Sequence, residues 1–233
     1  MKLSIIIPVY NEEKTIGEVI TKVVGVKVPS ITKEIIVVDD GSTDSSKFKI
    51  QNSKLKGIKK VFHEKNLGKG AAIRSGVKVA TGDLIIIQDA DLEYNPEDYN
   101  KLLEPILKKG AKVVYGTRLT SYPLIVWGKN KTVLPTHLIA NRFLTFLTNL
   151  LYGSNLTDME TCYKIFTREI FRKISIKSNR FNFEPEITAK ILKLGVFIVE
   201  VPIIVKPRTY KEGKKINWLD GLIAIWTLVK YKF

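Results

Sequence analysis

Three acids stand at alternate positions in IIIQDADLEYNPED, residues 85–98: Asp89, Asp91 and Glu93. Side chains two apart on an extended segment point the same way, so these carboxylates can converge on one point. Like charges so placed repel unless a cation sits among them, and acids at the end of a buried strand are costly without a partner. Hard oxygen donors suit Mg²⁺ or Mn²⁺, and Mg²⁺ commonly takes one or two carboxylates and completes its shell with water and substrate phosphates. Glu97 and Asp98 have a simpler account: Pro96 opens a helix, and acids in its first turn complement the dipole.

A second cluster is Asp39-Asp40-Gly41-Ser42. On a strand the two aspartates face opposite ways, so at most one need face a crevice, where it can accept hydrogen bonds from a ribose or a base. Ser42 or Thr43 can cap the helix that follows. The glycine-rich NLGKGAA, residues 66–72, leads into a helix whose amides can meet an anion. Its spacing fails the phosphate-loop pattern, and no GxGxxG follows the first strand. A tight turn before a helix accounts for it equally well. Among the cations, Arg118 follows a candidate strand, while Arg208, Lys211, Lys214 and Lys215 cluster in KPRTYKEGKKI around Gly213. Arginine grips phosphate bidentately and lysine neutralises it, so a mobile basic loop can close over a diphosphate. Taken singly, Lys211 and Lys215 read more simply as solvated charges. His63 and His137 lack paired ligand spacing and read as structural.

These residues need elements to position them. The runs 3–9, 34–40 and 84–90 are short, β-branched and apolar on both faces, which suits a mostly parallel central sheet flanked by helices. Helices are expected over 12–25, 43–53, 69–80 and 97–109, with weaker strands at 58–63 and 112–117. In an open α/β sheet the ligand crevice lies outside the carboxyl ends of the strands. Residues 8–12, 39–42 and 88–91 should therefore meet at one rim. Beyond residue 120 the rhythm changes to amphipathic segments at 133–152 and 216–231 around a strand-like 196–205. No repeat, low-complexity tract or linker breaks the chain, so one domain over 1–233 is expected.

Composition narrows the partners. The 38 Lys and Arg against 23 Asp and Glu give +15, which favours anionic partners: nucleotides, nucleic acid or acidic lipid. Aromatic side chains are not interleaved with the basic clusters as a stacking platform requires, which argues against nucleic acid. The single Cys162 excludes an internal disulfide and metal or redox cysteine pairs, so a reducing, cytosolic setting is expected. MKLSIIIPVY reads as a first strand rather than a signal peptide, and no run approaches the ~18–20 apolar residues of a membrane span. Trp218 and Trp226 with Leu219, Leu222, Ile223 and Ile225 lie on a basic, amphipathic C-terminal segment able to rest on a lipid surface, although ordinary core packing is the simpler account of most of them.

In order, IIIPVYNEE, IVVDDGSTD, NLGKGAAIRSG and GDLIIIQDADLEYNPED resemble an inverting family-two glycosyltransferase, in particular the dolichol-phosphate mannosyltransferase branch. The resemblance implies a GT-A type nucleotide-binding fold with a helical C-terminal elaboration. Residues 1–120 would form a nucleotide-sugar-binding half and 121–233 an acceptor-binding half ending in an amphipathic helix. It implies that Pro8, Tyr10, Glu12 and Asp39 line the nucleoside pocket, and that Asp89, Ala90 and Asp91 form the Asp-x-Asp grip on metal and donor diphosphate. Glu93 replaces a glutamine frequent in the branch and should still bind metal. Arg118 in GTR matches a position near the donor, TDMETCYKIF (157–166) resembles an acceptor-side segment, and Arg208 and Lys214 match the closing loop. The Gln-x-x-Arg-Trp motif and membrane helices of processive synthases are missing.

A hydroxyl acceptor needs a general base, whereas a phosphate monoester, with a second pKa of about 6, is already an anionic nucleophile. Asp158 and Glu160 could supply a base, so either acceptor stays open. The expected activity is metal-dependent, inverting transfer of a hexose from a nucleoside diphosphate sugar, GDP-mannose by the likeness to the mannosyltransferase branch but with guanine or uracil and the hexose left open by the sequence, to polyprenyl phosphate at the cytosolic membrane face. The alternative is the same donor chemistry with a sugar hydroxyl acceptor. Asp91, Arg118 and Asp158 are the expected catalytic residues.

Overall fold

The computed structural model describes residues 1–53, 57–120, 125, 132 and 134–233. The first strand, β1 (Lys2–Val9), places Leu3, Ile5, Ile6 and Ile7 wholly out of solvent, as its unbroken apolar run requires. It lies between β2 (Thr32–Asp39) and β4 (Leu84–Ile87), parallel to both, with Val9 opposite Asp39 and Ile6 opposite Ile87. β3 (Ile58–Phe62) extends the sheet beyond β2. Helices α1 (Ile16–Gly25), α2 (Ser46–Gln51), α3 (Lys69–Val79) and α4 (Tyr99–Lys109) connect these strands and lead to β5 (Val113–Thr117). The carboxyl ends of β1, β2 and β4 thus share one edge, and the three polar clusters that follow them meet there.

The far half departs from the expected rhythm. After α5 (Pro135–Tyr152) comes β6 (Lys164–Thr167), an antiparallel strand inserted between β4 and β5. Three of its four residues fall within the segment 157–166 that the sequence marks only as acceptor-side, and a run so short carries little periodicity. Helices α6 (Arg168–Lys173) and α7 (Phe183–Lys193) are likewise additional to the expected elements, and β7 (Ile198–Pro202) pairs parallel with β5. The sheet has seven strands in the order β3-β2-β1-β4-β6-β5-β7. The last helix, α8 (Trp218–Lys232), packs against α5 and α7.

Two expectations change here. The strand expected over 84–90, β4, stops at Ile87, so Asp89 and Asp91 lie in the turn beyond it, where Leu92 adopts φ +64°. On α8, Trp218, Leu219, Leu222, Ile223 and Trp226 are exposed rather than packed in the core; only Ile225 is half-buried against it. The expected helix start at residue 133 and the Lys211 side chain lie outside the described residues. Among the described residues no helix is long and apolar enough to cross a membrane.

Candidate active site

A cavity of about 350 Å³ opens at the carboxyl edge of β1, β2 and β4. From β1 and its following turn come Pro8, Tyr10 and Glu12; from the residue just after β2 comes Asp40. Asp39, the expected nucleoside contact, is fully buried behind it. Its Oδ2 accepts from the Ser42 amide at 3.3 Å, and its Oδ1 has no hydrogen-bond partner among the described residues. Asp40 instead ties the glycine-rich loop to the sheet: it accepts from the Leu67 and Gly68 amides at 3.0 and 2.7 Å, and its Oδ1 lies 2.6 Å from His63 Nδ1. His63 also meets Ser75 at 2.8 Å and is structural.

The glycines of that loop serve packing. A Cβ on Gly68, which has φ +100°, would fall 2.4 Å from the Asn179 carbonyl oxygen, and one on Gly70 the same distance from that of Ser178. Only glycine lets α3 start this close to the 178–179 backbone. The close approach sets Lys69 at the cavity floor, where its ammonium lies 2.9 Å from Asp89 Oδ1 and 3.0 Å from Glu184 Oε1. Burial favours the neutral amine, but the charges of Asp89, Cys162 and Glu184 outweigh it and hold the Lys69 pKa well above its ordinary value. Burial would likewise raise the Asp89 pKa, yet Lys69 keeps it lowered.

The acids beyond β4 do not converge on one point, because they leave the strand before the alternation applies. Asp89 turns to Lys69, whereas Asp91 and Glu93 turn to the segment after β7. There Arg208 donates to Glu12 at 3.0 and 3.2 Å and to Asp91 Oδ2 at 2.9 Å, while its own amide donates to Glu93 at 3.1 Å. Lys214 lies 3.6 Å from Glu93, and Lys215 lies 2.6 Å from Glu12 and donates to the Tyr10 carbonyl. The backbone joins in, since the Lys206 amide donates to the Glu93 carbonyl at 3.0 Å. The basic segment is therefore a strap fastened across the acidic turn. Burial and the charges of Asp89 and Glu93 push the Asp91 pKa up to about 7 against the opposing pull of Arg208.

Arg118 lines the opposite wall, its Nε and Nη2 donating to Asp158 at 2.7 and 2.8 Å and its Nη1 to the Tyr94 hydroxyl at 3.0 Å. Asp158 itself is fully buried and outside the cavity lining; its carboxylate is engaged in holding Arg118, which removes it from reach as a base. Glu160 does line the cavity, with one carboxylate oxygen buried and without a hydrogen-bond partner among the described residues. Burial, then the nearby charge of Glu184, pushes its pKa up to about 7. The turn that carries Glu160 is fixed from beneath by the buried Lys164, whose ammonium donates to the carbonyls of Met159, at 3.0 Å, and Thr161. Sequence reading missed Lys69 and Glu184: lysine after glycine at a helix start is common, and FEPE looks like ordinary acid in a first turn.

Among the described residues no group of three His, Cys, Asp or Glu side chains is arranged to hold a metal ion. The donor chemistry nonetheless fits Mg²⁺ or Mn²⁺ bound with a diphosphate. Asp89 and Asp91 put hard oxygen on the cavity wall, and two carboxylates suffice when phosphate and water complete the shell; burial first, and then the charges of Asp89 and Glu93, make a lone Asp91 carboxylate costly, a cost a cation would relieve. Glu93 fits less well, because it anchors the strap.

A mostly parallel α/β sheet with such a crevice at its switch from β1 to β4, closed by an antiparallel strand and a helical tail, is a GT-A glycosyltransferase fold. Glucosyl-3-phosphoglycerate synthase from Mycobacterium tuberculosis, in complex with Mn²⁺ and UDP-glucose, shares it with a TM-score of 0.75 at 22% identity, over 99% of this chain and 78% of that one. The chain belongs to glycosyl transferase family 2, whose family model matches residues 4–175. The UDP-N-acetylglucosamine–dolichyl-phosphate N-acetylglucosaminyltransferase of Methanococcus voltae is 30% identical over 98% of this chain and 95% of its own length. The dolichol-phosphate mannosyltransferase of Pyrococcus furiosus is 37% identical over 119 residues, 51% of this chain and 33% of its own. The protein is accordingly a glycosyltransferase with relatives that transfer sugars to polyprenyl phosphates.

Proposed function

We propose that the enzyme transfers a hexose, with inversion, from a nucleoside diphosphate sugar to polyprenyl phosphate at a membrane surface. The observation that carries this reading is one cavity in which the acid pair Asp89 and Asp91 faces the cations of Arg118, Arg208 and Lys214. Pro8, Tyr10 and Glu12 border the nucleoside end, with Asp40 beside them in the cavity lining. Asp89 and Asp91 would hold Mg²⁺ or Mn²⁺, which when bound screens the donor diphosphate and eases departure of the nucleoside diphosphate. Arg118, preset by Asp158, and the strap cations Arg208 and Lys214 share the charge that grows on the leaving group. The acceptor phosphate oxygen attacks the anomeric carbon from the opposite face and needs no base.

Glu160 favours a second reading. A carboxyl poised near neutrality in the cavity suits removal of a proton from a sugar hydroxyl. Labelled donors carrying guanine or uracil, offered with polyprenyl phosphate or with a soluble glycan, separate the two. Lipid-linked product, retained in Glu160→Gln, supports the first reading; product only with the glycan, lost in Glu160→Gln, replaces it with the second. Release of pyrophosphate instead of nucleoside diphosphate would overturn both.

A further inference from the structure

The packed helices α5 and α8 are apolar outside as well as inside. α5 buries Leu138 and Leu144 yet exposes Ile139, Phe143, Phe146 and Leu150, the last two at 62% and 68%. α8 buries Ala224 and Leu228 yet exposes Leu219, Leu222, Ile223 and Trp226, with Trp226 at 66% and Trp218, at the helix start, at 73%. The α5 set steps by four, three and four residues and the α8 set follows i, i+3, i+4, i+7, so each forms a stripe along one helix face. The seam between the helices is closed by Leu144, Met159, Ala224 and Leu228 and by the Tyr152 hydroxyl on the Leu228 carbonyl at 2.6 Å. Large aromatic and aliphatic side chains gathered in this way on neighbouring helices mark a docking surface.

We propose that this face docks on an anionic lipid bilayer. Charge selects the partner. α5 contains no acid, and the only one in α8, Asp220, is occupied in accepting from the Asn217 amide at 2.9 Å. Arg142 on α5 and Lys230 and Lys232 on α8 are exposed. An apolar stripe flanked by three cations, with a single acid held at the helix cap, complements phospholipid headgroups, whereas a second copy of the chain would set these cations against their own kind. Tryptophan, apolar in body and polar at its N–H, suits the headgroup boundary.

The face also adjoins the cavity. α8 is entered directly from the strap that carries Arg208 and Lys214, and His137 in the first turn of α5 is 2.6 Å from the strap's Tyr210 hydroxyl. A bilayer here lies beside the cavity mouth, where a membrane-borne phosphate would enter. The inference rests on the polyprenyl phosphate reading for its purpose, though not for its geometry.

Flotation with phosphatidylcholine vesicles, with and without phosphatidylglycerol, tests it. The protein should float with the anionic vesicles, more weakly with the neutral ones. Phe146→Glu combined with Trp226→Glu should bind at least about tenfold more weakly, since each removes a large buried apolar contact. Nucleotide binding and transfer to a short-chain, water-soluble polyprenyl phosphate should survive in that variant, which shows that it folds. A protein that stays unbound with anionic vesicles, or a dimer in solution that the double substitution dissociates, would overturn the proposal. Vesicle binding without transfer to any polyprenyl phosphate would leave the docking face standing and sink the acceptor reading instead.

Discussion

Arg208 donates to Glu12 and Asp91 while its amide holds Glu93, so a side chain of this protein stands where acids would otherwise face each other unshielded. On the proposed reaction, a metal and diphosphate arriving at Asp91 would displace it. Arg208→Ala should therefore tighten Mn²⁺ binding severalfold in the absence of nucleotide, read by calorimetry, while transfer falls by roughly a hundredfold because a cation facing the leaving group is gone. Tighter metal binding with unchanged turnover would remove Arg208 from the reaction. The Asp91 pKa of about 7 gives a signed pH dependence. Below it the carboxyl is protonated and a divalent ion must expel the proton, so metal-dependent nucleotide binding should weaken as pH falls from 8 to 6, with a limiting slope of about tenfold per unit. The same shift works against stability as pH rises: between the ordinary value of 3.8 and about 7 the unfolded chain has released a proton that the fold retains, so stability drops across that window unless a cation is bound.

At the level of elements, the junction of β1, β2 and the turn before β4 is tied by a buried acid. Glu34 accepts from Ser4 at 2.6 Å and from the Thr81 amide at 2.7 Å, with Lys59 and Lys2 at 2.8 and 3.2 Å. Burial opposes its ionisation, but these partners hold its pKa far below the usual carboxylate range, so the stability it supplies is present at neutral pH and lost in strong acid. Glu34→Gln should cost about 1–3 kcal/mol by denaturant titration at pH 7 and less at low pH, without changing nucleotide binding. The start of α3 makes a contrasting case. Gly68→Ala meets both a positive φ and a backbone contact at 2.4 Å. It should destabilise by roughly 1–3 kcal/mol and also weaken donor binding, because α3 carries Lys69 to Asp89.

For the whole molecule, a charge of +15 promises association with any polyanion, but the residues that select a ligand are few and local. Binding to duplex DNA should be weak, lost on raising salt and unchanged in Asp91→Ala, whereas metal-dependent nucleotide binding should be abolished by that substitution and persist in salt. Equal salt sensitivity of the two would mean that the cavity acts only as a basic patch.

The three strands that end at the cavity were legible in the sequence because each is an unbroken apolar run closed by polar residues, and parallel sheets buried on both faces demand that pattern. So was the meeting of Glu12 with Asp91, since the topology of such a sheet brings strand ends together; Arg118, Arg208 and Lys214 were expected beside them only from the family resemblance, and they line the same cavity. What each side chain does there was decided by tertiary contacts: Asp89 meets Lys69 and Asp91 meets Arg208 across 20 and 117 positions of chain, Asp158 sits beneath Arg118, and Glu160 has one oxygen without a hydrogen-bond partner among the described residues. No local period encodes such pairs. β6 and the outward faces of α5 and α8 depended on the same cause, for a four-residue strand is specified by its neighbours, and a helix apolar on both sides reveals which side is covered only once its partners are in place.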